Sequence, residues 1–381
     1  MPPPATLFLF VKGTGDSDVE RLVAGAQLAA SLDTLERIRA LPEIETVVVA
    51  TANREFGARA ASLGARVELD PPEDFHFGNR LAALVEKYHA ATPLYIGGGS
   101  GALMTADDWR AVVQRAVQQP NTIVTNNYYS CDFAAWSPGS ALRQIEPPEL
   151  DNDLAYRLGE RAGLQVAALP KNAATQLDID TPTDLLTISF HPAIGPHLRA
   201  ELERARVERT RTETVLSLLG NRKATLLIAG RVSASMALML EGATRCQWRI
   251  LSEERGMRAS GRAGRGEARS LLGFFLEQVG FPNFFAALAR LADAAIIDSR
   301  VLFAHQRLQP SPADRFNSDL LRGQAIGDAF VRDFTLAARA AAIPILLGGH
   351  SLVSGGMYAL VEAANARVSQ KPVDNNARRG L

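Results

Sequence analysis

The sequence predicts an α/β fold in which a mostly parallel sheet is flanked by helices, followed by a second α/β domain. The first observation is that short apolar runs such as TVVVAT (46–51) alternate with segments of helical periodicity over the first half of the chain. The second is that the same alternation restarts at ATLLIAG (224–230). The third is the length of 381 residues, which exceeds the usual size of a single hydrophobic core.

In the first half, continuous apolar runs predict strands, and apolar residues three to four positions apart predict helices. Strands are predicted at 6–12, 46–51, 65–69, 93–98 and 121–127. Helices are predicted at 19–41, after Asn53, at 77–88 and at 105–117. Asn53 and Thr105 are the expected N-caps, because their side-chain oxygens can accept hydrogen bonds from the free N–H groups of a first helical turn.

In the second half, strands are predicted at 224–230, 246–254, 294–298 and 343–349. Helices are predicted from 232, at 267–279, at 284–292, at 320–341 and after the last strand. Between the halves, residues 197–219 are rich in charge and predict one long exposed helix. We therefore divide the chain into a first domain at 1–195, a charged helical connector at 196–212, a second domain at 213–365 and a disordered tail at 366–381.

The composition narrows the classes of binding partner and the cellular compartment that we expect for this protein. Lys and Arg total 41 and Asp and Glu total 41, so the net charge is zero, which argues against a general nucleic-acid or membrane binder. No apolar run approaches the roughly 20 residues of a membrane-spanning helix. The start MPPPATLFLF carries no basic residue, unlike a signal peptide, and the two cysteines fit reduced thiols, so we expect a cytoplasmic protein. A homodimer stays open.

The stretch LDIDTPTDLL (177–186) carries the strongest chemical signal. Asp178 and Asp180 stand two apart at the end of an apolar run, so a strand would point both to one side. Thr181 can cap the following helix, with Asp184 in its first turn. Asp180 would then be held at a strand end, where open α/β sheets bind ligands. The alternative interpretation is a helix N-cap with no further role.

In its context this stretch resembles the closing motif of nucleotidyltransferases with a glycosyltransferase-A-like, Rossmann-like fold. These include the 2-phospholactate guanylyltransferases and the molybdenum-cofactor guanylyl- and cytidylyltransferases. The resemblance covers about residues 5–188 and includes LYIGGGSGALMTADDW (94–109) in the expected order. It implies a reaction between a nucleoside triphosphate and a small phosphorylated acceptor, with Mg²⁺ or Mn²⁺ as cofactor and pyrophosphate as product.

The resemblance also assigns roles to individual residues. Asp180, with Asp178 beside it, is the implied metal ligand, and Asp180 and Lys12 are the implied catalytic residues. Lys12 would pair with phosphate, and Asn79 corresponds to a polar residue near the base. The implied nucleotide-binding set is Lys12, Asn79, Gly98, Gly99 and Ser100.

Two positions depart from the family pattern. Ser100 stands where the family has a metal-binding aspartate, and the first loop, GTGDSD (13–18), is acidic where the family's loop is basic. Three accounts of Ser100 remain open. In the first, the site is active and Mg²⁺ is held by Asp180, triphosphate oxygens and waters, since Mg²⁺ commonly uses only one or two protein carboxylates. The glycine loop binds an anion through backbone N–H groups without metal. The domain has lost catalysis and binds a nucleotide or a protein partner.

Several further residues are candidates for binding the acceptor or its phosphate. Asn127 and Asp132 follow a predicted strand, and Gly349, His350 and Ser351 follow another, while Arg262 and Arg265 belong to a basic, glycine-rich stretch at 254–270. Each of these residues also has an alternative interpretation without ligand binding, as part of a turn, a helix cap or a solvated loop. The sequence thus predicts a nucleotidyltransferase. The alternative is a catalytically silent nucleotide-sensing or scaffold protein whose function lies in its C-terminal domain.

Overall fold

The computed structural model describes residues 4–71 and 75–369, and these form two compact units. The first unit comprises Met1–Leu185 with Ala193–Val207, and the second comprises Leu186–Pro192 with Glu208–Leu381. The last helix continues to Ser369, so the disordered tail predicted from 366 is wrong for its first four residues. There the Arg367 guanidinium lies 5.2 Å from the centroid of the Phe190 ring and 3.7 Å from the Glu213 carboxylate. The rest of the predicted tail, 370–381, lies outside the described residues.

The first unit is built on a seven-stranded sheet. Its strands are β1 (Ala5–Val11), β2 (Ile44–Thr51), β3 (Arg66–Leu69), β4 (Pro93–Gly97), β5 (Thr122–Thr125), β6 (Phe133–Ser137) and β7 (Gln165–Ala168). They lie in the order β3-β2-β1-β4-β6-β5-β7, and only β6 runs antiparallel to its neighbours β4 and β5. The predicted mostly parallel sheet is confirmed. Strands β6 and β7 were not predicted, because each is short and β6 follows a polar loop.

Helices cover both faces of this sheet. They are α1 (Asp18–Arg39), α2 (Arg54–Ser62), α3 (Phe77–Lys87), α4 (Ala106–Gln118), α5 (Leu154–Glu160), α6 (Ala173–Gln176), α7 (Pro182–Ile188) and α8 (Pro196–Ala205). Alternate residues of β1 enter opposite cores: Leu7 and Leu9 pack on one face and Phe8 and Phe10 on the other. All four side chains are nearly or fully buried. Burial of such a side chain stabilises the fold by about 1.5–3 kcal/mol, so β1 anchors the unit.

The predicted helix at 197–219 is wrong as a single helix. Helix α8 ends at Arg206, whose φ of 47° is left-handed, and α9 (Thr210–Leu218) begins separately in the second unit. Helix α8 is also less exposed than predicted. The Asp33 carboxylate on α1 accepts hydrogen bonds from the backbone N–H groups of His197 (3.0 Å) and Leu198 (2.9 Å), which caps α8.

The second unit carries a four-stranded, entirely parallel sheet. Its strands are β8 (Thr225–Gly230), β9 (Gln247–Ser252), β10 (Ala294–Asp298) and β11 (Ile345–Gly348). The order β11-β10-β8-β9 confirms a second α/β fold. The accompanying helices are α10 (Ala234–Ala243), α11 (Leu271–Leu291), α12 (Ser299–His305), α13 (Pro312–Asp319), α14 (Ala329–Ala340) and α15 (Gly355–Ser369). The helix predicted at 320–341 starts later, because Asp328 caps Val331 and sets the first turn of α14.

Helix α11 is the one described helix whose length and apolar composition would suit a membrane span. It is not continuous, because Gly280 has a φ of 72° and Pro282 follows it. Pro282 removes a helical hydrogen bond, and each half is about ten residues, or roughly 15 Å, against roughly 30 Å of bilayer hydrocarbon. The break agrees with the sequence, which predicted two helices here.

Candidate functional site

Predicted site residues of the first unit meet at the carboxyl edge of its sheet. Lys12 directly follows β1, and Gly98, Gly99 and Ser100 directly follow β4. Asp132 directly precedes β6, and because β6 is antiparallel to β4, the start of β6 lies at the same edge. This is the edge at which parallel α/β sheets bind their ligands.

The glycine turn after β4 is shaped by close backbone approach. The Gly98 N–H donates to the Phe10 carbonyl at the end of β1 over 2.7 Å. Gly99 has a φ of 101°, and a Cβ at this position would lie 3.1 Å from Asp178 Oδ1 and 3.2 Å from the Ile179 carbonyl oxygen. Both the backbone angle and the space therefore favour glycine. The turn brings the β4 loop against the 177–180 segment.

Ser100 and Asp178 are direct partners in this arrangement. The Ser100 hydroxyl is buried and donates to Asp178 Oδ1 over 3.2 Å. The same carboxylate oxygen accepts from the Ile179 N–H at 2.9 Å, and Gln27 Nε2 donates to the Ile179 carbonyl at 2.6 Å. Ser100 thus helps to hold the Asp178 carboxylate in place.

The segment around Asp180 differs from the prediction. Residues 177–180 form no strand. The backbone at the end of this segment is instead held by the buried carboxylate of Asp184. Asp184 Oδ2 accepts from the N–H groups of Asp180 (3.0 Å) and Thr181 (2.7 Å) and from the Thr181 hydroxyl (2.9 Å). Asp180 itself is exposed and Asp178 half-buried. The predicted helix start at Pro182 is confirmed, but strand geometry does not explain how the two aspartates are placed.

Four carboxylates share this edge and influence one another. Burial, followed by the charges of Asp180, Asp132 and Asp151, raises the pKa of Asp178 well above its usual value. Burial also raises the pKa of Asp132, and the negative charges of Asp151 and Asp180 raise it further, to about 7. A hydrogen bond from Asn126 Nδ2 (2.7 Å) acts in the opposite direction and lowers this pKa. Asp151 is itself half-buried and accepts a 2.7 Å hydrogen bond from the Tyr95 hydroxyl.

Sequence reasoning missed Asp151 and Tyr95. Tyr95 lies inside β4 and looks like an ordinary core residue, and Asp151 lies in a short 3₁₀ turn more than fifty residues away. No local pattern links them. Both enter the site because β4 and the 3₁₀ turn are brought together by the fold.

The donor set fits a hard cation. Within the described ranges, no Lys or Arg side chain forms an ion pair with Asp132, Asp151 or Asp178. Oxygen ligands of high negative charge density are those that Mg²⁺ prefers. In residues 4–71 and 75–369, however, no three His, Cys, Asp or Glu side chains are grouped closely enough to hold a metal by themselves. One or two carboxylates, with phosphate oxygens and water, would have to complete the shell.

The other predicted residues of the first unit have simpler surroundings. Lys12 is exposed at the end of β1, and Asn79 is exposed in the first turn of α3, with its N–H donating to His76 Nδ1 over 3.2 Å. Asn127 uses its side-chain oxygen to accept from the Tyr129 N–H at 3.1 Å, which shapes the β5–β6 loop. The roles of these residues stay predictions.

In the second unit, the predicted arginines are engaged by acids of their own segment. Arg262 Nη2 lies 2.9 Å from Glu254 Oε1, and Arg265 makes a two-point ion pair with Glu267 at 2.9 and 2.8 Å. Gly349, His350 and Ser351 follow β11 as predicted. Whether they bind a ligand stays a prediction.

No protein-family model matches the chain, and no curated protein matches its sequence. Among solved structures, the chain is similar to a cytidylyltransferase from Leptospira borgpetersenii at 16% identity, covering 56% of this chain and 97% of that one, with a TM-score of 0.40. It is also similar to 4-diphosphocytidyl-2C-methyl-D-erythritol synthase from Anaerococcus prevotii, at 11% identity, 48% and 94% coverage and a TM-score of 0.33. A third is CMP:2-keto-3-deoxy-manno-octonic acid synthetase complexed with CTP, at 11% identity, 44% and 89% coverage and a TM-score of 0.32.

Proposed function

We propose that the first unit is a metal-dependent nucleotidyltransferase of the cytoplasm. It would join a nucleoside triphosphate to a small phosphorylated acceptor and release pyrophosphate. The observation that carries the proposal is the meeting of Asp178, Asp180 and Asp132 beside the Gly98–Ser100 turn. An acidic cluster at a ligand-binding sheet edge, with a glycine turn open to backbone approach, suits a metal–nucleotide complex.

Asp180 and Asp178 would hold Mg²⁺ or Mn²⁺. When bound, the ion would neutralise charge on the triphosphate. Asp180 is an exposed residue, and its backbone N–H donates to Asp184 Oδ2 over 3.0 Å, which holds its backbone in place. Asp178 is oriented by Ser100, which donates to one of its oxygens, Oδ1. Ser100 thus positions a carboxylate in place of supplying one.

The remaining steps use the chain's other groups. Lys12 would pair with phosphate oxygens, and the Gly98–Gly99 turn would let backbone approach the nucleotide. An oxygen of the acceptor phosphate attacks the α-phosphorus and forms a new P–O bond. The bond from the α-phosphorus to the bridging oxygen breaks, and its electron pair leaves with pyrophosphate. No general base is needed, because the attacking phosphate is already anionic.

A second candidate is a catalytically silent unit that binds a nucleotide or a partner. Two observations favour it: Ser100 replaces the acid of the family pattern, and the described residues hold no three-ligand metal group. Such a unit would retain nucleotide affinity without turnover. The function would then lie in the second unit.

Titration calorimetry with the four nucleoside triphosphates, with Mg²⁺, Mn²⁺ or EDTA, tests binding. Pyrophosphate release with a panel of phosphorylated acceptors tests chemistry. We expect Asp180→Asn to weaken metal-dependent nucleotide binding by at least about tenfold, since a ligand oxygen of the ion is lost. Asp107→Asn, an exposed aspartate in the first turn of α4, is the matched control. Unchanged metal-dependent affinity in Asp180→Asn would contradict the ligand assignment, and binding without any pyrophosphate release would favour the silent unit.

A further inference from the structure

The sheet of the second unit has a topological switch point. In chain order, β9 is added on one side of β8, while β10 and β11 are added on the other side. All pairs are parallel, so the connections diverge at the carboxyl ends of β8 and β10. Divergence of this kind opens a crevice, and open α/β sheets bind their ligands in it.

The ends of β8 and β10 approach closely at this point. Gly230 ends β8 with a φ of 118°, and a Cβ there would lie 2.3 Å from the Cβ of Asp298, which ends β10. The absence of a side chain lets the next residue, Arg231, reach across. Its Nε and Nη2 donate to Asp298 Oδ2 (2.5 Å) and Oδ1 (3.0 Å), while Nη1 has no partner among the described residues.

Three further polar groups stand at the same edge. His350 follows β11, and its ring forms no hydrogen bond within the described part of the chain. Asp298 pairs in register with Gly348, two residues before His350, and the Glu253 N–H, two residues before Arg255, donates to the Gly230 carbonyl over 2.8 Å, so these segments meet at one edge. The charges of Arg231, Asp298 and Arg255 act on the His350 ring. Ser351 Oγ is buried and lacks a hydrogen-bond partner in the described residues.

Both cationic and anionic groups act on the His350 ring. Two guanidinium groups, Arg231 and Arg255, face one carboxylate, Asp298, around His350. Burial, with the charges of Arg231 and Arg255, lowers the pKa of His350 to about 4 against the opposing charge of Asp298, so the ring is neutral at pH 7. The acids next to Arg255 in sequence are engaged elsewhere: Glu253 accepts from Ser270 and Glu254 pairs with Arg262.

We propose that the crevice formed by Arg231, Arg255, His350 and Ser351 binds the phosphate or pyrophosphate group of a small molecule. Arg231 Nη1 and Arg255 would donate charge-assisted hydrogen bonds, and the neutral His350 ring and the Ser351 hydroxyl would each donate one more. The buried Arg231–Asp298 pair fixes the first of these donors. This site is independent of nucleotidyl transfer in the first unit.

Calorimetric titration of the full chain with inorganic pyrophosphate in EDTA tests the site, because without metal the acidic edge of the first unit repels the same probe. We expect one bound pyrophosphate. Arg255→Gln and the double variant His350→Asn/Ser351→Ala should each weaken it at least about tenfold, as loss of charge-assisted or buried hydrogen bonds does. These changes avoid Arg231, whose removal would leave Asp298 buried without its partner. Arg222→Gln, an exposed arginine three residues before the amino end of β8 and so at the opposite edge of the sheet, is the control.

A second readout is the titration of His350 by NMR. A bound pyrophosphate stabilises the imidazolium, so the pKa of His350 should rise from about 4 when the probe is added. The proposal is overturned if pyrophosphate does not bind, if the control weakens binding as much as Arg255→Gln, or if Asp180→Asn alone abolishes binding in EDTA.

Discussion

Ser100 donates a hydrogen bond of 3.2 Å to Asp178 Oδ1, so this serine is the direct partner of a carboxylate. Asp178 is half-buried and shares its edge with three more aspartates. The negative charge of this edge is therefore carried by aspartates other than a residue at position 100. The first prediction concerns this pair.

Ser100→Asp should place a second carboxylate against Asp178. Two unit charges about 4 Å apart repel by roughly 4 kcal/mol at an effective dielectric near 20, which sets the upper limit of the destabilisation. In EDTA we expect a lower Tm than in Ser100→Asn, which adds similar volume without charge. Mg²⁺ should recover much of the loss, because ligand binding to the native state stabilises it. Equal Tm values for the two variants, with and without Mg²⁺, would show that positions 100 and 178 do not share a cation site.

Asp184→Ala should destabilise the first unit. Asp184 is fully buried and accepts hydrogen bonds from the Asp180 and Thr181 N–H groups and the Thr181 hydroxyl. Leaving those donors unsatisfied should cost about 2–4 kcal/mol in the free energy of unfolding, measured by urea denaturation. Asp107→Ala, at an exposed position in the first turn of α4, should change it by about 0.5 kcal/mol or less. A small effect in Asp184→Ala would mean that Asp180 is held by other contacts.

Asp132 should make stability depend on pH. Its folded-state pKa, about 7, lies above the ordinary value of 3.8, so the folded protein binds more protons between these values than the unfolded chain does. Stability from this group is fully present below about pH 4 and is lost as pH rises toward 7. The slope cannot exceed about 1.4 kcal/mol per pH unit for one proton. We expect Asp132→Asn to flatten the fall between pH 5 and 7 in urea unfolding, and exposed Asp153→Asn to leave it unchanged.

Gly99→Ala should disturb the turn through its backbone angle and its space. A φ of 101° is strained for alanine, and the new methyl group would crowd Asp178 Oδ1 at 3.1 Å. We expect a loss of about 1–3 kcal/mol in stability and weaker metal-dependent nucleotide binding. Gly220→Ala, where no atom lies within 4 Å and φ is not positive, is the control. If Gly99→Ala matches this control in both measurements, the close approach of the two loops has no functional consequence.

The sequence by itself determined the fold class and the local features. The continuous apolar run LFLFV of β1, whose side chains enter the two cores alternately, and the spacing of apolar residues in α1 are patterns that a single segment contains. The N-caps Asn53 and Thr105 were predicted and are confirmed, since each accepts from an N–H three residues ahead. Caps depend on neighbours in sequence, so they can be found without a structure.

Only the tertiary structure decided the composition of the site. Asp151 and Asp132 join Asp178 because sheet order brings together segments up to 46 residues apart, and no local pattern encodes that order. The same holds for the amino end of α8, which is capped by the Asp33 carboxylate of α1, 165 residues away in the sequence. Charge in a sequence shows what a side chain can pair with. Which partner a charged side chain has in the folded protein depends on long-range packing, because packing sets both the distance between the two groups and how deeply they are buried.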